Sequence, residues 1–140
     1  MREIEQIITR FREAGLKITP QRISIFHLLQ DNRSHPSAED VYREALKIHP
    51  SISFTTVYKT LQTLRDMGEI QELAVDPERA HFDPFTHEHI HLFCKGCKNI
   101  KDLEMDRMKS NRIFKSNDEL ADFEIHNVQI HLVGLCEDCR

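Results

Sequence analysis

Two Cys-x-x-Cys pairs, Cys94/Cys97 and Cys136/Cys139, constrain this chain more than any other feature, and together they use all four of its cysteines. A Cys-x-x-Cys turn offers two thiolates from one short loop. Two such turns complete the tetrahedral sulfur site that a structural zinc ion takes. The end of the chain must therefore fold back onto the Cys94 turn, and the metal would contribute folding free energy there. The competing reading is a thiol redox pair or disulfides. It predicts that Cys94 titrates as a free thiol in metal-replete protein.

The rest of the composition narrows the class. At 140 residues the chain is long enough for one ordinary domain or two small ones. No apolar run approaches the roughly 20 residues of a membrane-spanning helix. The opening Met1-Arg2-Glu3-Ile4-Glu5 does not read as a secretory signal. A cytoplasmic location is expected, where reduced thiols favour metal over disulfide. The formal net charge is -4; residues 1–83 hold 11 basic against 13 acidic side chains, and residues 84–140 hold 8 against 10. Neither half is basic, so a nucleic-acid role must rest on pattern and local charge.

Residues 2–14 carry Ile4, Ile7, Ile8 and Phe11 as one helical stripe, ended by Gly15. Thr19-Pro20 starts a second helix with Ile23, Phe26 and Leu29 inward. Pro36-Ser37 starts a third with Ala38, Val41, Tyr42 and Ala45 inward, stopped by Pro50. Ser53 caps a fourth, with Val57, Leu61 and Leu64 inward and Gly68 as terminator. Short strands over 70–75 and 80–82 flank the turn Asp76-Pro77-Glu78-Arg79. Helices followed by a small hairpin describe a winged helix-turn-helix over residues 1–83. Residues 84–140 form the second domain: a strand over 87–93, a strand over 99–103, a weak helix over 104–121 and a long strand over 124–135. The fold class is α+β.

Two clusters carry candidate chemistry. His89 and His91 share one face of a strand, Asp83 lies just upstream and Asp102 sits on the pairing strand. Imidazoles and carboxylates without thiols suit iron(II), manganese(II) or zinc. Polar residues on an exposed strand are the alternative, and the neighbouring His81, His87, His126 and His131 weaken any argument from numbers. His27 and His49 read as ordinary helix-surface or helix-end residues and are assigned no role. On the fourth helix, Thr55, Thr56, Tyr58 and Lys59 face outward, where hydroxyls at a helix start suit phosphate and Tyr or Lys reach base edges. Lys17, in the turn before the second helix, is placed to reach a DNA backbone or minor groove. A merely solvated face is the alternative.

Four stretches taken together resemble the ferric uptake regulator family along nearly the whole chain. They are Ala14-Gly15-Leu16-Lys17-Ile18-Thr19-Pro20-Gln21-Arg22, His35-Pro36-Ser37-Ala38-Glu39-Asp40-Val41-Tyr42, Thr56-Val57-Tyr58-Lys59 with Leu61, and His89-x-His91-x-x-Cys94-x-x-Cys97 with Cys136-x-x-Cys139. The resemblance implies a homodimer, an N-terminal winged helix on a palindromic operator and a C-terminal dimerisation domain. It implies a regulatory iron or manganese ion held by His35, Asp83, His89, His91 and Asp102, besides one structural zinc ion per chain. Iron-sensing members usually have Glu where this chain has Asp102; five ligands of this kind are similar to the peroxide-sensing branch. There, iron(II) and hydrogen peroxide oxidise a ligand histidine, here His35 or His89. A further metal site of some members is not expected, because its acidic positions correspond to Ile90 and about Lys109. His126 is then either a remnant of that site or a plain polar residue. Lys59 stands where many members have Arg, and lysine cannot make the bidentate guanine contact.

The leading expectation is a peroxide-responsive repressor and not an enzyme, with an iron-responsive regulator as alternative. A zinc-dependent hydrolase would use the His/Asp cluster to activate water. It would have no use for the outward face of the fourth helix.

Overall fold

The computed structural model describes residues 1–104, 120 and 122–140, and the chain divides into two compact units, Met1–Thr86 and His87–Arg140. The first unit contains helices α1 (Ile4–Glu13), α2 (Pro20–Leu29), α3 (Ala38–Ile48) and α4 (Phe54–Asp66), then strands β1 (Gln71–Leu73) and β2 (His81–Asp83).

Local chemistry sets the helix ends. Thr19 accepts from the Arg22 N–H with Pro20 in the first turn; Ser37 and Asp40 form a reciprocal capping box; Ser53 accepts from the Thr56 N–H. Each such cap stabilises by about 1 kcal/mol. Gly15 and Gly68, at φ 72° and 71°, close α1 and α4. Past them, Leu16 N–H reaches the Phe11 carbonyl at 2.8 Å and Glu69 N–H the Leu64 carbonyl at 2.9 Å. This left-handed termination suits glycine.

The core of this unit joins Ile7, Phe11, Ile25, Phe26, Leu29, Val41, Ala45, Val57, Leu61, Leu64 and Phe82. Phe11 and Phe26 meet edge-on at 5.0 Å. Burying each large side chain is worth about 1.5–3 kcal/mol. On α2 the buried set is Ile25, Phe26 and Leu29, with Ile23 only half-buried. A single helical stripe does not describe α2 because α1, α3 and α4 all pack against it. At the other end of α4, buried Glu69 accepts from Arg2 and Arg10.

The strands expected over 70–75 and 80–82 are corrected to Gln71–Leu73 and His81–Asp83, paired with Gln71 opposite Asp83 and Leu73 opposite His81. β2 also meets the segment before α3: Ser37 bridges to His81, and Phe82 N–H donates to the Pro36 carbonyl at 2.9 Å.

The second unit holds a three-stranded sheet in the order β4-β3-β5, from β3 (Ile90–Cys94), β4 (Ile100–Leu103) and β5 (Ile130–Gly134). β3 and β4 are antiparallel; β3 and β5 are parallel. The long final strand expected over 124–135 is corrected to five residues. β3 offers partners only from Ile90 to Cys94, so Phe123 and Ile125 have no ladder to join and stand exposed. The strand expected from residue 87 likewise begins at Ile90. The expected helix over 104–121 and the position near Lys109 lie almost wholly outside the described residues.

Candidate metal centres and nucleic-acid face

The four cysteines converge in the second unit. One sulfur from each of Cys94, Cys97, Cys136 and Cys139 lies within 4.8 Å of all the others. The Cys97–Cys136 sulfur separation is 3.8 Å. A tetrahedron with zinc–sulfur bonds of about 2.3 Å has edges of about 3.8 Å, so the thiols fit zinc. Lys95 N–H donates to the Gly134 carbonyl at 2.8 Å and anchors the first knuckle to β5. Gly96 leaves room for the second knuckle: a Cβ there would lie 2.7 Å from Cys139 Cβ and 2.8 Å from its sulfur. The Cys94 thiol is pushed down to about 6, first by the Cys136 backbone N–H and then by those of Cys97 and Gly96. Cys139 is pushed up to about 12, chiefly by its hydrogen bonds with Cys136 and Cys94. A thiolate already favoured at Cys94 suits metal capture.

The second unit also brings together His89, His91 and Asp102. His91 and Asp102 are register partners across β3 and β4. His89 Nδ1 lies 2.8 Å from the His87 carbonyl, to which it can only donate. That bond leaves Nε2 as the ligand atom, 3.3 Å from Asp102 Oδ1. His91 Nε2 lies 3.9 Å from the same oxygen, and the two imidazoles are 4.3 Å apart. Both rings are buried. A carboxylate oxygen shared by two buried ring nitrogens suits a hard or borderline divalent cation.

The first unit holds a matching pair. His35 Nε2 lies 3.9 Å from Asp83 Oδ2, with both side chains buried. Gln71 Nε2 donates to Asp83 Oδ2 at 3.0 Å, and Phe85 N–H donates to Oδ1 at 2.8 Å. His35 itself is held at φ 50°.

Of the expected DNA-facing residues, Lys17, Thr55, Tyr58 and Lys59 are exposed. Thr56 is half-buried and its hydroxyl meets Ser53 Oγ at 2.9 Å, so it serves the cap. The sequence reading missed Phe54. It stands exposed on the same face, stacked on Tyr58 at 6.1 Å and edge-on to Tyr42 at 5.6 Å. It also missed Gln71, which the hairpin register alone places opposite Asp83. Of the remaining histidines, His87 and His126 are exposed, His126 beside Glu124. Half-buried His131 pairs with His91 across β3 and β5; burial first, and the neighbouring His91, lower its pKa.

The model of the ferric uptake regulator family matches residues 13–133. The chain belongs to the ferric uptake regulator family. It is 32% identical over 138 residues to the peroxide-responsive repressor PerR of Staphylococcus aureus strain Mu50, covering 99% of this chain and 92% of that protein. Among solved structures it resembles the Campylobacter jejuni peroxide stress regulator at TM-score 0.71 and 27% identity, covering 99% and 100% of the two chains. The Helicobacter pylori ferric uptake regulator shares the fold at TM-score 0.82 and 21% identity, over 99% and 94%. These family members are named as regulators, not as enzymes. Among the described residues no helix is long and apolar enough to cross a membrane.

Proposed function

We propose that this member of the family is a peroxide-responsive, metal-dependent repressor that acts as a homodimer on palindromic operator DNA. The observation that carries the reading is the thiol-free donor set around Asp102, with His89 held by the His87 carbonyl so that Nε2 is the ligand atom. In this reading His35 and Asp83 join His89, His91 and Asp102 as ligands of one iron(II) or manganese(II) ion, apart from the zinc held by the four cysteines. Metal binding then favours whichever arrangement brings all five donors to one ion. His35, Asp83, His89, His91 and Asp102 would hold iron(II), which would supply redox chemistry toward hydrogen peroxide; the net change at His35 or His89 is that a ring C–H and one hydrogen peroxide become a ring C–OH and one water. Oxidation of either ring removes a ligand and weakens operator binding.

Residues 1–83 are the DNA-binding part, with α4 in the major groove and Thr55, Tyr58 and Lys59 toward the bases and phosphates. Thr56 positions the helix start, and Lys17 reaches the backbone. Residues 84–140 make the dimer. Support comes from β5, an edge strand whose Leu132 and Val133, with Leu135 just after, stand about half exposed.

The test uses a DNA fragment selected on the manganese-loaded protein. Iron- and manganese-loaded samples receive hydrogen peroxide, and DNA retention and protein mass are followed. The expected result is loss of binding in the iron form alone, with one oxygen added at His35 or His89. Retained binding, tracking iron occupancy only, would establish the alternative of a plain iron-responsive regulator, a reading supported by the ferric uptake regulators among the structural matches.

A further inference from the structure

A second buried histidine stands behind His35. His81 and Asp76 are 8% and 6% exposed, and neither is among the ligands proposed above. His81 opens β2 and pairs with Ser37 just before α3. Its Nδ1 lies 2.7 Å from the His35 carbonyl oxygen, which can only accept, so Nδ1 carries the proton and donates. On the far side of the ring, Nε2 lies 3.6 Å from Asp76 Oδ2. Asp76 is itself fixed by its turn, because Oδ1 accepts from the Glu78 N–H at 3.1 Å.

The peptide that His81 grips is unusual. His35 precedes Pro36, so the unit between them has no N–H; the carbonyl is its one polar handle. His35 also sits at φ 50°, a left-handed conformation sparsely populated by residues other than glycine. The direction of the His35 Cα–Cβ bond, and hence of its imidazole, follows from how that peptide is held. The bond from His81 holds it.

We propose that His81 is a positioning residue for the regulatory metal: it sets the backbone of His35 so that the His35 ring is presented as a ligand. This rests on the reading of His35 as a ligand. It assigns His81 a task distinct from stabilising the hairpin, because the bond terminates on the ligand's own carbonyl.

The experiment uses the full chain with its zinc, and manganese(II) as probe, its free concentration read by electron paramagnetic resonance. His81→Leu removes the donor. His81→Asn keeps an amide donor near the Nδ1 position. His35→Ala is the reference for a lost ligand. Thermal midpoints of the manganese-free proteins and zinc content are measured alongside. The expected result is a manganese Kd raised about 10- to 100-fold in His81→Leu. His81→Asn should recover most of the affinity, with zinc content unchanged in both. Wild-type affinity in a folded His81→Leu, beside weakened binding in His35→Ala, would overturn the positioning role alone. So would a folded His81→Asn as weak as His81→Leu. Unchanged affinity in His35→Ala would overturn the ligand reading and this inference with it. Should His81→Leu fail to fold, His81→Gln replaces it, its amide reaching the Nε2 position and leaving no donor at Nδ1, with weakening in the same direction expected and wild-type affinity overturning the proposal.

Discussion

Alanine at position 96 would place a methyl group 2.7 Å from Cys139 Cβ and 2.8 Å from its sulfur. Carbon atoms in ordinary contact stand about 3.5 Å apart, so Cys139 would have to retreat by about 0.8 Å. A zinc–thiolate bond tolerates only about 0.2 Å of change. The second knuckle therefore cannot move away and keep its ligand in place. Overpacking of this kind costs about 1–3 kcal/mol, equivalent to roughly 5- to 150-fold weaker zinc binding. The assay is equilibrium competition with a chromogenic chelator, with metal content determined on the same samples. Gly134→Ala is the control, since a Cβ at Gly134 meets nothing within 4 Å. Gly96→Ala should lose zinc at chelator concentrations that leave Gly134→Ala loaded. Equal retention by the two variants would refute the account of how the knuckles close on the metal.

Three other outcomes are expected. Glu69→Gln leaves Arg2 and Arg10 without the buried carboxylate they share and should lower stability by roughly 1–3 kcal/mol at neutral pH, measured by urea denaturation. Burial alone would raise the Glu69 pKa, but the hydrogen bonds from Arg2 and Arg10 outweigh it and hold it below the usual range. Its contribution is thus present above the unfolded-state pKa and is lost as pH falls through the depressed folded value, so the gap between the two proteins should close in acid. Gln71→Leu removes the donor to Asp83 Oδ2 and the Phe85 carbonyl; manganese affinity should fall about 10- to 100-fold with zinc content unchanged, by metal titration. Lys59→Ala should weaken DNA binding across sequences and reduce the salt slope by about 1, in fluorescence anisotropy at several salt concentrations.

Much of the architecture was legible because it rests on local chemistry. Thr19-Pro20, Ser37 with Asp40, and Ser53 mark helix starts whose bonds span only a few residues. The turn residues at 76–79 marked a hairpin between two short strands, though not the register that pairs Gln71 with Asp83. The Cys-x-x-Cys spacing needs only two short turns, and the family resemblance supplied His35, which no local pattern in the chain marks as a ligand.

What remained hidden depends on partners distant in sequence. The length of β5 is set by the five residues β3 offers it, not by the apolar pattern before residue 130. The buried faces of α2 depend on the three helices packed around it. His81 read as one histidine among many until β2 brought its ring to the carbonyl of His35. Spacing and composition determine which residues can cap, turn or bind a metal, because those bonds close within a few residues. Only the tertiary structure decides which of nine histidines are buried against a carboxylate, because that depends on where strands far apart in the chain come to lie.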